Sequence, residues 1–472
     1  SRFVAALAAD WALTNTLKLN IDVEHVAKDV TETPAIVLLP AVAGRVALPP
    51  IPRPRSNLGA RELRYDAHAT NAMARLDWKI APSVALTVEG GQAITVRDRD
   101  FSQFGGYNLT TGEGVLQLFR TRDQRYRNRN LRAELAAVFP TGPITHNLIV
   151  GATSNWRFQN GRSSATTPAT AVAGSIAQNL FAPRALVIAP LTAALTVAPL
   201  NVRDRGLYVV DRAVLGPVQL LGGLRYSDYR SRATNVAGVT TEFKLSRATP
   251  SVGLIFKPSA KTSVYATYLE GLEEGGTAPA NTANANEVLP PAVSTQYELG
   301  FKAELLRAVT LQIAAFEVSR PSAFTDPTDN RFKLAGQSRY RGVEASATGE
   351  VTADLSLSAS LQYLDATIQR SNNALLLGRR PENTPKYTAS LFVEYRPVVG
   401  LAVGAGAFHV GARPVNNFNQ AFIDGFSDIG KGLTLQLNAD NLANARYWSA
   451  AGNGLLGVGL PRQVKLTARI GL

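Results

Sequence analysis

The chain has 472 residues, 45% of them hydrophobic, no cysteine, and 49 Lys+Arg against 36 Asp+Glu, a formal net charge of +13. Without cysteine there is no disulfide framework, thiolate nucleophile or cysteine-bound metal, and no uninterrupted apolar run of about 18 residues offers a helical membrane span. The basic balance admits an acidic lipid surface, a nucleic acid or an anionic ligand, while the opening SRFVAALAADW lacks the basic start, apolar core and cleavage site of an export signal.

Along the chain the repeated unit is strand, short turn, strand, long connection. RFVAALAADWAL and LKLNIDVEHV flank a Thr-Asn turn; residues 64–80 and 84–96 flank Pro82-Ser83; LRAELAAVF turns at Thr141-Gly142-Pro143 into THNLIVGATSNW. GLYVVDRAVL turns at Gly216-Pro217 into VQLLGGLRYSDY, and TPSVGLIFKP turns at Ser259-Ala260 into SVYATYLEG. QYELGFKAEL then meets VTLQIAAFEV, RGVEASATGEV meets LSLSASLQYL, KYTASLFVEYRP meets LAVGAGAFHV, and VKLTARIGL closes the chain. This makes roughly nineteen strands with no sustained helical period.

Long connections are expected at 31–62, 97–113, 158–200, 229–241, 271–293, 320–338, 367–386 and 411–418. The loop over 158–200 is rich in Ala, Thr and Pro, and Pro183, Pro190 and Pro199 interrupt it too often for a spanning helix. Single soluble domains rarely carry so many loops beyond about 12–15 residues. Transmembrane barrels do, with short turns on the periplasmic side and long loops outside. Under that rule the first strand runs inward from outside, so an even strand number asks for an odd number of strands before Ser1; roughly nineteen plus three gives the 22 of the plugged outer-membrane transporters.

The faces agree with lipid on one side. Leu357, Ala359, Leu361 and Tyr363 oppose Ser356, Ser358, Ser360 and Gln362, and Tyr297, Leu299, Phe301 and Ala303 oppose Gln296, Glu298, Gly300 and Lys302. Val464, Leu466, Ala468, Ile470 and Leu472 alternate with Lys465, Thr467, Arg469 and Gly471, and LTLQLNAD at 433–440 alternates in the same way. A charge on a lipid face costs about 2–4 kcal/mol at midplane, and charges avoid that parity here. The fold class is therefore all-β, a transmembrane antiparallel β-barrel, rather than a soluble solenoid or a string of sandwiches with bulkier inner faces.

Four segments in order, SVYATYLEGLEEGGTAPANTANANEVLPPAVSTQYELGFKAEL, FEVSRPSAFTDP, SRYRGVEASATGEV and LQLNADNLANARYW, resemble the barrel of TonB-dependent ferric-siderophore receptors, and a looser similarity extends over nearly the whole chain. The resemblance implies a 22-stranded barrel over residues 1–472, an N-terminal plug inside it, and uptake driven by the TonB–ExbB–ExbD complex in the outer membrane of a Gram-negative bacterium. The plug, the TonB-contacting segment and the first strands of the family have no counterpart here. AFIDGFSDIGKGLTLQL is roughly ten residues shorter than the family's strand-turn-strand needs, and the chain ends in Leu472 where the family usually has an aromatic residue.

Arg341, Gly342 and Glu344 in YRGVEAS match a recurrent family position; the two charges have opposite parity, so they read as barrel-wall or register residues. Asn438, Asp440, Asn441, Asn444, Arg446 and Tyr447 form a polar strand end, and Tyr447 with Trp448 suits an interfacial girdle better than a ligand contact. RTRDQRYRNRNLR puts Arg125, Arg127 and Arg129 on one face, expected as a ladder in the lumen. Such a ladder could neutralise plug carboxylates or lipopolysaccharide phosphates, or form a funnel for an anionic ferric chelate.

Receptors of this kind hold bulky ferric chelates through aromatic groups with Arg or Gln hydrogen bonds. Candidates are Phe101, Phe104, Tyr107, Phe119, Arg120, Trp156, Tyr229, Phe324 and Phe332. Gly452 to Gly459 contain G-x-G-x-x-G without the strand and helix a dinucleotide site needs. His25, His68, His146 and His409 have no metal-ligand spacing, and no nucleic-acid fold surrounds the arginines. The expected function is uptake of a ferric siderophore, with iron held by the chelator, no cofactor and no enzyme activity; a plugless passive pore is the alternative, and no large outer domain suggests an adhesin.

Overall fold

A computed structural model describes residues 2–53, 56–163, 176–186, 195–235, 237–279, 282–284, 287–305, 308–326, 328–398, 401–433, 435–441, 445–452 and 454–468. Pro190, Asn444 and Leu472 lie outside the described residues, as do the side chains on which the alternation over 433–440 and 464–472 was read.

Consecutive long strands pair antiparallel, each with the next, from Arg2–Ala12 through Leu17–Thr31, Arg64–Ala81 and onward to Leu401–Val410 and Phe426–Leu433. Leu435–Asp440 pairs with Gln463–Ala468. The tight turns fall where the sequence places them, at residues 82–83, 142–143 and 216–217. Among the described residues the outer edges of Arg2–Ala12 and Gln463–Ala468 have no strand partner.

The strand register sorts side chains into rows. Leu135, Val150, Val209 and Leu224 stand abreast on four adjacent strands, each between 40% and 49% exposed. One residue along, Glu134, Gly151, Tyr208 and Arg225 stand abreast on the opposite face. The polar face is concave. Asp22, Asn71, Arg157, Asp204, Arg225 and Glu273, from six separate strands, line one cavity of about 920 Å³, and Arg157 reaches across to Glu274 at 2.7 Å. A wet lumen inside and a hydrocarbon band outside satisfy both rows. Gly151 belongs to this geometry: a Cβ there would lie 2.2 Å from Cζ of Tyr208, whose hydroxyl donates to Glu134 at 2.7 Å.

Three expected loops are strand instead. Val84–Gly105 and Glu113–Thr141 continue through most of 97–113, and the second is 29 residues long. Val218–Thr234 and Thr240–Ser259 leave only a short tip of the 229–241 loop, and Ala308–Thr325 and Phe332–Glu350 do the same to 320–338. A membrane span needs only about 9–11 residues, so these hairpins project into water, where both faces tolerate charge and the apolar alternation that marks a strand is lost. Parts of the 31–62, 158–200 and 411–418 connections gather at the same end around a core of Ile36, Phe104, Leu116, Val415, Ile423 and Leu456, all at most 1% exposed, while Leu272 and Val288 of the 271–293 connection pack on Leu200, Val202 and Tyr229.

Candidate ligand vestibule

Above the lumen, where the strands leave the hydrocarbon band, cations and rings collect on the inward face. The parity that points Glu89 and Gly91 inward carries on to Arg97, Arg99 and Phe101; Tyr65 stands opposite Arg99 on the neighbouring strand. The Arg97 guanidinium donates to Gln124 Oε1 at 2.5 Å and to the Tyr126 hydroxyl at 2.7 Å, and sits 5.0 Å from the Tyr126 ring centre. Arg99 lies 4.6 Å from the Phe101 ring and 5.7 Å from that of Tyr65, and Lys28 Nζ is 4.5 Å from the same Tyr65 ring. Phe119 faces Phe101 at 6.0 Å. Glu32 accepts from Arg99 at 2.6 Å. Three cations around one carboxylate leave a positive, aromatic surface suited to planar anionic groups.

Below it the lumen wall is locked by paired charge. Arg132 lies 3.2 Å from Glu89 and 3.3 Å from Glu134; Arg225 donates to Thr153 Oγ1 at 2.9 Å and lies 3.6 Å from Asp204. Among the described residues no group of three His, Cys, Asp or Glu comes together as a metal site.

Of the nine ligand candidates, only Phe101 and Phe119 join this cluster. Phe104 and Tyr107 are buried in the loop core, stacked at 5.6 Å, so they hold loops rather than face a ligand; burial pushes the Tyr107 phenol up to about 12. Arg120 is buried against Asp100 at 2.9 Å. Tyr229 points inward but is covered by Leu200 and Val202. Phe324 and Phe332 flank the tip at 326–331, on opposite parities. Trp156 is on the outer wall, opposite Arg129 on one side and Arg203 on the other.

The ladder of Arg125, Arg127 and Arg129 shares one face, but that face is the outer one. Counting along the strand from the lipid-facing Leu135 and Leu131 keeps all three outside, while Asn128, Asn130 and Arg132 point inward. Arginine is admissible there because the strand has by then left the hydrocarbon.

The motif residues make contacts within the wall and its loops. Arg341 pairs with Glu317 at 2.5 Å, Gly342 lets the Phe316 ring approach, and Glu344 takes the other face. Asn441 accepts from the Ala445 N–H at 2.8 Å and donates to the Ala445 and Leu460 carbonyls; the Gly459 N–H donates to the Tyr447 carbonyl, and Arg446 is exposed. Lys28, Tyr65, Arg97, Arg99 and Tyr126 were missed from sequence. The signal was present in VRDRDF, where Arg97, Arg99 and Phe101 keep one parity at the end of an alternating strand.

Residues 17–442 match the family described as TonB dependent receptor-like, beta-barrel, and the chain belongs to it. The ferrichrome receptor FcuA of Yersinia enterocolitica is 25% identical over 468 residues, covering 90% of this chain and 59% of that protein. A probable TonB-dependent siderophore receptor, PiuA of Acinetobacter baumannii, is 25% identical over 282 residues, 53% of this chain and 38% of that protein. The chain thus spans under two thirds of these relatives. The crystal structure of BauA, the ferric preacinetobactin receptor of A. baumannii, shares the fold with a TM-score of 0.84 at 22% identity, over 98% of this chain and 70% of that one.

Proposed function

We propose that this chain forms the wall and vestibule of a non-enzymatic outer-membrane receptor of a Gram-negative bacterium, importing a ferric siderophore in a TonB-dependent cycle. The inward cluster of Lys28, Tyr65, Arg97, Arg99, Phe101 and Tyr126 at the wide mouth carries this reading. Ferric chelates are bulky and many are anionic. Positive charge at the mouth raises their local concentration, while guanidinium planes and rings supply broad contact without ligating the metal, so iron stays with the chelator. The plug and the TonB–ExbB–ExbD complex would supply the movement, which the charge-locked wall is too well paired to provide.

The test is titration of the full-length protein with ferric hydroxamate, catecholate and mixed chelates, read by tryptophan quenching. Saturable binding of one class is expected, weakened at least ten-fold by the double change Arg97→Ala and Arg99→Ala. Flat titrations for every class, with steady ungated conductance in planar bilayers, would favour a passive pore instead.

A further inference from the structure

The outer wall carries two rows of like charge, of opposite sign, that siderophore uptake does not use. Asp29 stands opposite Asp66 and Asp66 opposite Asp98, so three adjacent strands set three carboxylates abreast. Their chain neighbours Lys28, Tyr65, Arg97 and Arg99 point inward, which turns the carboxylates outward. Further round, register places Arg129 opposite Trp156, Trp156 opposite Arg203, Arg203 opposite Arg230, and Arg230 opposite Lys244. Like charges directly opposite one another destabilise a sheet, yet each row puts three side by side.

Neither row is fully neutralised from within the chain. Arg64 binds Asp29, while Asp98 accepts from the Asp123 N–H at 2.7 Å and lies 4.0 Å from Arg122. Arg230 pairs with Asp228 at 3.2 Å. Among the described residues Asp66 has no cationic partner within 4.0 Å, and Arg129, Arg203 and Lys244 have no acidic one.

The two rows match in height. The aspartates stand about 15 residues from the nearest short turns and the cations about 14; at 3.3 Å per residue and a tilt near 45° that is ~35 Å and ~33 Å, just beyond the hydrocarbon. Beneath them the apolar faces differ in relief. Under the aspartates come the small outward residues Ala72, Ala74 and Gly90, with Ala74 opposite Gly90. Under the cations Leu207 and Leu224 stand out, 64% and 49% exposed. Large side chains on one flank and a low floor on the other can interdigitate.

The angle between the flanks sets how copies assemble. Their middle strands, Arg64–Ala81 and Leu200–Leu215, are four steps apart in the sheet. In a barrel of about 22 strands each step turns about 16°, so the rows look outward about 65° apart. A contact between unlike faces closes a ring of three when those faces diverge by about 60°, and a ring of four at about 90°.

We propose that the receptor associates with further copies of itself through these unlike flanks and closes a trimer. Asp66 and Asp98 of one copy meet Arg203, Arg230 and Lys244 of the next, and each row relieves the repulsion within the other.

The experiment places dye-labelled full-length protein in phosphatidylcholine bilayers free of phosphorylated glycolipid and counts copies by single-molecule photobleaching. Three bleaching steps are expected at low salt and one in about 1 M salt, where charges are screened beyond ~3 Å. The double change Asp66→Lys and Asp98→Lys, or separately Arg203→Glu and Arg230→Glu, is expected to give single steps. Mixing the two reversed proteins is expected to restore association, because each then offers what the other lacks. Arg341→Gln, outward but on a distant strand, should keep three steps. Single steps from the unaltered protein at low salt would overturn the proposal without need of any variant. So would clusters that persist in the reversed proteins, a mixture that stays monomeric, or association that appears only once phosphorylated glycolipid is added, which would assign the contact to lipid.

Discussion

A Cβ at Gly342 would lie 2.6 Å from Cζ of Phe316 and 2.6 Å from the Tyr363 carbonyl oxygen. Gly342→Ala is therefore expected to destabilise the barrel by about 1–3 kcal/mol, seen as a lower midpoint in urea unfolding from detergent. Tyr107 is the converse: its hydroxyl is buried without a hydrogen-bond partner among the described residues, so Tyr107→Phe is expected to raise stability by about 1 kcal/mol in thermal unfolding. At Asp326 the carboxylate accepts from the Thr328 amide and hydroxyl, from Lys333 Nζ at 3.0 Å and from Asn372, which holds it well below the usual carboxylate range. Its contribution is complete above the ordinary value of 3.8 and is lost as pH falls through the lowered one. Protease resistance of the 326–331 tip should thus be level from pH 8 to about pH 5 and decline below about pH 4, with Asp326→Asn already loose at neutral pH. Motif residues such as Gly342 were legible in the sequence because a family pattern marks them. The partners that make Tyr107 or Arg120 structural were not, because Ile36, Asp100 and Val415 come from connections that sequence periodicity does not bring together.

At the scale of strands, alternation carried most of the information. Leu224 and Arg225 are neighbours in sequence, yet one meets hydrocarbon and the other the lumen. Leu224→Arg is expected to cost about 2–4 kcal/mol in folding into vesicles, although arginine one position along is part of the native wall; an unchanged folding equilibrium would contradict the assignment of faces. The tight turns at Gly142 and Gly216 were legible as well, since Gly-Pro punctuates the chain there. What failed was the upper half of the long hairpins. Once clear of the membrane a strand no longer needs an apolar face, so VRDRDF and RTRDQRYR read as loop or as a lumen ladder. Counting parity from Leu135 past the hydrocarbon edge would have put Arg125, Arg127 and Arg129 outside.

For the whole molecule, the class of fold followed from the contrast of short turns at one end with long connections at the other, which no soluble sandwich requires. The ring itself was not legible: pairing among the described residues leaves Arg2–Ala12, Phe426–Leu433, Leu435–Asp440 and Gln463–Ala468 each with one unpaired edge, and unpaired backbone groups in lipid cost several kcal/mol each. Strand register sets Arg129, Trp156, Arg203, Arg230 and Lys244 abreast on a single flank, with the Glu317–Arg341 pair lying several strands further along. A cylinder so marked has a bearing as well as an axis: unlike sides let its neighbours in a crowded leaflet tell one direction around it from another.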